Sequence, residues 1–280
     1  MDTMGLRASR GVIDDFYVDA LERLQGSGVP FLVGGAFAYA RYTGIGRRTK
    51  DLDVFVHPDD VHRVLALFAR AGFSVSLPFP HWLGKVEHDA GCLDVVFSSG
   101  NGCARVDDDW FQHAVMDSVL GTPLLLCPAE EMLWTKAFVQ ERERYDGADV
   151  LHLVRARGAM FDWERLLARF SEHWPVLLGH LVLFGFVYPD RVHDVPSWVI
   201  DELTTRLRRQ TRPGPRVCRG TLLSREQYLV DLDLFGYEDA RLWPLGALTT
   251  TERDIWTEAI DRRGRRGGEA AERNRCVTRT

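Results

Sequence analysis

The chain has 280 residues, with 35 Lys and Arg against 40 Asp and Glu, a formal net charge of -5, 45% hydrophobic and 27% charged residues. These values suit a folded chain long enough for one large or two modest domains, and they give no overall pull toward nucleic acid or anionic membrane, leaving room for a local basic cleft. The cysteines are Cys92, Cys103, Cys127, Cys218 and Cys276; an odd number without Cys-x-x-Cys spacing argues against a disulfide framework or a zinc site.

Met1–Arg10 lacks the apolar run of a signal peptide. Asp14–Gln25 reads as a helix, with Phe16, Ala20, Leu21 and Leu24 at helical spacing and Gly26 and Gly28 behind it. Phe31-Leu32-Val33 is a short strand, broken by Gly34-Gly35, and Ala36–Tyr42 opens as a helix directly from the glycines. Asp51–Val56 is a second strand, Pro58-Asp59-Asp60 caps a helix over Val61–Ala71, and strands follow at Phe73–Leu77 and Leu93–Phe97. From Pro128 the pattern turns helical: Ala129–Glu143, Asp149–Arg157 and Asp162–His173. The longest apolar stretch, Trp174–Tyr188, contains His180, is too short to span a bilayer and reads as a buried element. Arg206–Arg216, with Pro213 and Pro215, reads as a linker, and the capping box Ser224-Arg225-Glu226-Gln227 starts a helix toward Leu234. From Asp261 onward, Arg and Gly dominate and a disordered tail is expected. The expected fold is α+β: a mixed sheet flanked by helices, followed by a mainly helical part. The expected units are 1–125, 126–205, 206–260 and the tail 261–280. A cytoplasmic location without a membrane partner is expected.

Chemistry concentrates in residues 31–56. Side chains alternate along a strand, so Asp51 and Asp53 share a face, with Leu52 and Val54 opposite. Paired carboxylates repel and are usually neutralised by a cation; oxygen donors favour Mg²⁺ or Mn²⁺. A pair of such ions is a standard device for in-line displacement at phosphorus. Asp94 is a lone acid in the apolar strand Cys92–Phe97, and facing the same site would account for it. The Gly34-Gly35 turn offers backbone N–H groups at a helix start, a phosphate-binding arrangement, and Arg47 and Arg48 lie within reach of phosphate oxygens. A Gly-Gly turn or an Asp-x-Asp alone is weak evidence; their joint order carries the reading.

Phe31–Gly35 followed by Arg47-Arg48-Thr49-Lys50-Asp51-Leu52-Asp53-Val54 resembles the signature of nucleotidyltransferases of the DNA polymerase beta superfamily. The likeness is greatest to the prokaryotic branch of AbiEii-like toxins and small uncharacterised nucleotidyltransferases. It implies that Gly34 and Gly35 hold the triphosphate, with Arg47 and Thr49 in the nucleotide-binding set. Asp51 and Asp53 would bind the metal, and Asp94 would match the third carboxylate. Pro128–Lys136 and Arg144–Asp149 resemble the family's following lysine-bearing helix and acidic segment, placing Lys136 and Asp146 in the nucleotide or acceptor pocket. Ala36 replaces a serine and Tyr145 a lysine usual there. The likeness covers roughly residues 12–160. It implies transfer of a nucleoside monophosphate from an NTP such as ATP to an acceptor hydroxyl on an RNA end, a protein or a small molecule such as an antibiotic. Pyrophosphate is released, with Mg²⁺ or Mn²⁺ as cofactor. The toxin branch adds an antitoxin as an expected partner. The alternative is an inactive member of the fold that binds nucleotide or a partner protein.

Other clusters are discounted. Asp231-Leu232-Asp233 repeats the acid spacing, but the capping box puts it on a helix, where residues two apart diverge. Asp107-Asp108-Asp109 reads as a helix cap or exposed loop, and His57 as a strand-end residue.

Overall fold

The structure, a computed structural model, describes residues 11–47, 49–210 and 213–259. The first part runs α1 (Val12–Ser27), β1 (Leu32–Val33), α2 (Gly35–Thr43), β2 (Asp51–Phe55), α3 (Val61–Arg70), β3 (Ser74–Phe79), β4 (Leu83–His88), β5 (Gly91–Val96), α4 (Asp108–Gln112), β6 (Val115–Val119) and β7 (Thr122–Leu126). Its strands form one sheet in the order β3-β4-β5-β2-β1-β7-β6. The sheet is mixed: β2 is parallel to β5 and β1 to β7, and the other neighbours are antiparallel.

The two sides of the central strands differ as their alternation requires. Leu52 and Val54 of β2 and Leu93 and Val95 of β5 are fully buried. Gly84, the ladder partner of Val95, faces Leu65 of α3, and Gly91 faces Ile13 and Tyr17 of α1, so those helices cover the apolar face. α3 buries Val61, Val64, Leu65 and Phe68, one helical stripe. α1 ends at Gly28, whose φ of 69° is the left-handed cap that a glycine takes without steric cost.

The second part is helical: α5 (Ala129–Ala137), α6 (Gly147–Arg157), α7 (Trp163–Phe170), α8 (Trp174–Val187) and α9 (Ser197–Arg209). β8 (Val217–Cys218), α10 (Leu229–Asp233), β9 (Glu238–Asp239) and a helix over 250–259 complete the described chain. The expected α+β class, a mixed sheet flanked by helices with a mainly helical C-terminal part, is what the chain forms.

Several boundaries differ from expectation. β4, β6 and β7 were not anticipated from sequence. β6 and β7 join through Leu120 and Gly121, both at positive φ (52° and 83°), a two-residue turn whose first position is filled by leucine and so lacks the usual turn signature. α5 stops at Ala137, short of Glu143, because the chain doubles back there: the Asp146 N–H donates to Val139 O at 3.0 Å and the Glu141 N–H to Arg144 O at 2.9 Å. α9 runs through Arg206–Arg209, residues expected to belong to a linker. Ser224 Oγ does accept from the Gln227 N–H at 3.3 Å, yet the helix begins only at Leu229. The expected tail 261–280 lies outside the described residues.

Trp174–Tyr188 is helical over α8, burying Trp174, Leu177, Leu178, His180, Leu181 and Phe184. With α7 it makes a continuous helical run, Trp163–Val187, of 25 residues, long and apolar enough by length and composition to cross a membrane; 39% of its most apolar window is buried in the molecule. A core helix meets the same criterion.

Candidate active site

The polar face of the β2–β5 ladder carries the acids. The parallel register sets Asp51 opposite Cys92 and Asp53 opposite Asp94, so the three carboxylates project from one side of two adjacent strands. Asp51 is exposed, and Asp53 and Asp94 are half-buried. One donor atom each from Asp51, Cys92 and Asp94 lie within 4.8 Å of one another.

The Gly34-Gly35 turn abuts this face. Gly34 donates its N–H to Asp53 O at 3.0 Å, so that N–H is engaged within the protein and does not point at a ligand. A Cβ on Gly35 would stand 1.7 Å from Asp53 Oδ2, and the residue has φ of 52°; glycine is required both for the conformation and for the closeness of Asp53. A Cβ on Gly34 would meet Phe55. α2 starts here without a side-chain cap, leaving the positive end of its dipole beside the acids.

The acid cluster is electrostatically tense. Burial, then Asp94, then Asp51 push the Asp53 carboxyl up to about 7, while Lys136 and Arg144 act in the opposite sense. Burial, then Asp94, pushes the Cys92 thiol up to about 12, which keeps it neutral. Lys85, on β4 opposite Asp94, sets its ammonium 2.5 Å from Asp94 Oδ1 and 3.8 Å from Cys92 Sγ. Burial opposes its charge, but the contact with Asp94 prevails and its pKa is raised.

A second, mixed-charge cluster faces the first from the helical part. Lys136 Nζ reaches Asp146 Oδ2 at 3.0 Å and Asp149 Oδ2 at 2.8 Å. Arg144 grips Asp146 through Nε at 3.0 Å and Nη2 at 2.8 Å. Arg47 forms a two-pronged pair with Asp149 and stacks over the Tyr39 ring, 4.8 Å from its centroid. The Tyr39 hydroxyl is in turn 2.8 Å from His152 Nδ1. Burial pushes both aspartates up, but Arg144 and Lys136 at Asp146, and Arg47 and Lys136 at Asp149, overcome it and hold both below the usual carboxylate range.

The structure therefore brings together Gly34, Gly35, Asp51, Asp53 and Asp94 on one side, and Arg47, Lys136 and Asp146 on the other. Thr49 uses its hydroxyl locally, donating to Asp51 O at 2.8 Å and accepting from the Asp51 N–H at 3.2 Å, so it shapes the start of β2. Arg48 lies outside the described residues. Sequence reasoning did not assign Lys85, Cys92 and Tyr39 to the candidate site, and it left Asp149, inside the Arg144–Asp149 segment, without a role. One signal was available: lysine occurs only at positions 50, 85 and 136, and two of these three contact its acids. The discounted clusters behave as expected. Asp107 caps α4 by accepting from the Asp109 N–H, Asp231 and Asp233 lie on α10, and His57 stacks on Phe111 with Asp108 at 3.3 Å.

No protein-family model matches the sequence, and no curated protein does. Solved structures are similar in topology at low identity. The antibiotic-resistance factor ANT(2'')-Ia, in complex with adenylyl-2''-tobramycin, is 14% identical over 59% of this chain and 99% of its own, with a TM-score of 0.44. The lincosamide antibiotic adenylyltransferase LnuA is 15% identical over 51% of this chain and 96% of its own, with a TM-score of 0.38. The CCA-adding enzyme of Bacillus stearothermophilus, bound to CTP, is 15% identical over 61% of this chain and 51% of its own, with a TM-score of 0.29.

Proposed function

We propose that the chain is a divalent-metal-dependent nucleotidyltransferase that moves a nucleoside monophosphate from an NTP to an acceptor hydroxyl. The observation that carries this reading is the Asp51–Asp53–Asp94 face beside a glycine turn that tolerates no side chain. The donor set fits Mg²⁺ or Mn²⁺: it offers carboxylate oxygens, the neighbouring thiol is held neutral, and Asp53 is destabilised as an anion until positive charge arrives. Asp51, Asp53 and Asp94 would hold the metal, which supplies charge stabilisation to the phosphoryl oxygens and the leaving pyrophosphate.

The chain's own groups supply the rest. The uncapped start of α2 orients phosphate oxygens through backbone N–H groups. Lys136 and Arg144, already felt at Asp53, add positive charge over the cleft. Arg47 reaches phosphate by exchanging its partner Asp149, which retains Lys136. In the reaction the acceptor oxygen bonds to the α-phosphorus, the bond from that phosphorus to the pyrophosphate oxygen breaks, and the hydroxyl proton passes to a carboxylate, for which Asp94 is the candidate base. The acceptor is an RNA end, a protein hydroxyl or a small molecule such as an antibiotic; the motif likeness to AbiEii-like toxins adds an antitoxin partner to what should be sought. A cytoplasmic setting, where NTP and Mg²⁺ are abundant, suits the chemistry. The units 1–125 and 126–205 are read as a catalytic sheet and the helical wall that completes its pocket.

The test is incubation of the full chain with each NTP labelled at the α-phosphate, Mg²⁺ or Mn²⁺ and cell extract. Transfer of label with pyrophosphate release is expected, and loss of both in Asp51→Asn. Nucleotide binding without transfer under any of these conditions would instead identify an inactive nucleotide-binding member of the fold.

A further inference from the structure

Lys85 is the group that the proposed chemistry does not use. Its ladder position opposite Asp94 aims it across β5 at the acid face, with a side chain 26% exposed. The ammonium contacts Asp94 Oδ1 at 2.5 Å and approaches Cys92 Sγ at 3.8 Å. Asp94 and Cys92 are two of the three residues whose donor atoms cluster within 4.8 Å, the third being Asp51. A cation tethered to the chain thus already sits against two members of this donor group and opposes the arrival of a further cation there. An ammonium has three donors and one charge, and it cannot be chelated away.

We propose that Lys85 takes the place of a second divalent cation, so that the site binds a single divalent ion through Asp51, Asp53 and Asp94 while the Lys85 ammonium, held on Asp94 Oδ1, supplies positive charge on the acceptor side of the reaction. This rests on the nucleotidyltransferase reading. It adds that the charge usually supplied by two ions is split here between one ion and one side chain. Lys85 is then a specificity-determining residue for metal stoichiometry.

The experiment counts Mn²⁺ bound to the metal-free full chain by electron paramagnetic resonance, without nucleotide, for the wild type, Lys85→Met, Lys85→Arg and Asp53→Asn. Methionine keeps the stem and removes the charge; arginine keeps the charge; circular dichroism checks the fold of each. The wild type and Lys85→Arg should bind one Mn²⁺. Lys85→Met should bind two, the second at least roughly tenfold more tightly than any further ion on the wild type, because like charges a few ångström apart repel even in water. Asp53→Asn should lose the wild-type ion. Two ions of similar affinity on the wild type, or one ion on Lys85→Met, would overturn the proposal while leaving the acid face a metal site. No Mn²⁺ bound by any of the chains would overturn both.

Discussion

At the scale of single residues, Asp53 is where stability and the proposed chemistry conflict. Its folded pKa of about 7 lies above the ordinary 3.8. The sign follows from linkage: the folded state prefers the protonated form, so the stabilising preference is whole below about pH 4 and is lost as pH rises through about 7. In metal-free protein, Asp53→Asn should match the wild type at pH 4 and exceed it at pH 8 by at most about 4 kcal/mol, an upper bound because solvent reaches the half-buried carboxylate. Denaturant titrations in chelator across that range test this; equal stability at pH 8 would show that the charge carries no penalty. On the proposed metal role a divalent cation would bind the ionised form, so wild-type affinity for Mg²⁺ should rise as pH passes through about 7, and thermal stabilisation by Mg²⁺ should be nearly absent in Asp53→Asn. Gly35 is the companion case. Its φ of 52° and the 1.7 Å approach of a hypothetical Cβ to Asp53 Oδ2 leave no room for alanine. Gly35→Ala should lower stability by about 2 kcal/mol or more and weaken Mn²⁺ binding with it. A fully stable Gly35→Ala chain with wild-type Mn²⁺ affinity would contradict the turn geometry.

Elements meet at the second charge cluster. Arg47 comes from the segment before β2, Lys136 from α5 and Asp149 from α6, with Asp146 and Arg144 on the reversal between those helices. The early stop of α5 serves this geometry: a helix continued to Glu143 would carry Arg144 and Asp146 away from Lys136. Asp149 is 5% exposed and binds two cations, so removing its charge leaves Lys136 and Arg47 short of a partner. Asp149→Asn should cost about 2 kcal/mol or more at pH 7. Because the folded pKa of Asp149 is depressed, its contribution is present above about pH 4 and is lost as pH falls through the folded value. The deficit of the variant should therefore close in acid, the opposite pH trend to Asp53. Persistence of the full deficit at pH 2 would assign the loss to packing. This cluster was half legible: Lys136, Arg144 and Asp146 belong to a motif, but their pairing with Arg47 depends on α6 returning to the mouth of β2.

Over the whole molecule, the C-terminal residues clasp the loop after β5 and the reversal after α5. Asn101 Nδ2 donates to Leu222 O at 2.8 Å, Arg225 pairs with Glu141 at 2.6 Å, and Trp256 covers Gly100 so closely that a Cβ there would be 2.7 Å from its ring. Trp256 is 9% exposed. Trp256→Ala should cost about 3 kcal/mol, as truncation of a buried indole does, within a single cooperative transition. A separate early transition at low temperature would mean that residues 213–259 melt apart from the sheet.

What the sequence determined by itself is what short-range periodicity and local chemistry encode. The stripe Val61, Val64, Leu65, Phe68 is enough to specify α3, the alternation of Asp51–Phe55 is enough to put two acids on one face, and the glycine pair marks a break. Tertiary structure decided the partners. Asp53 meets Asp94, Lys85 meets Asp94 and Arg47 meets Asp149 across separations that no local pattern spans, because strand register and helix packing are set by burial of faces distributed over the whole chain. The missed hairpin of β6 and β7 shows the same division from the other side: Leu120 takes a left-handed conformation that its side chain disfavours, and the paired strands on either side hold it there.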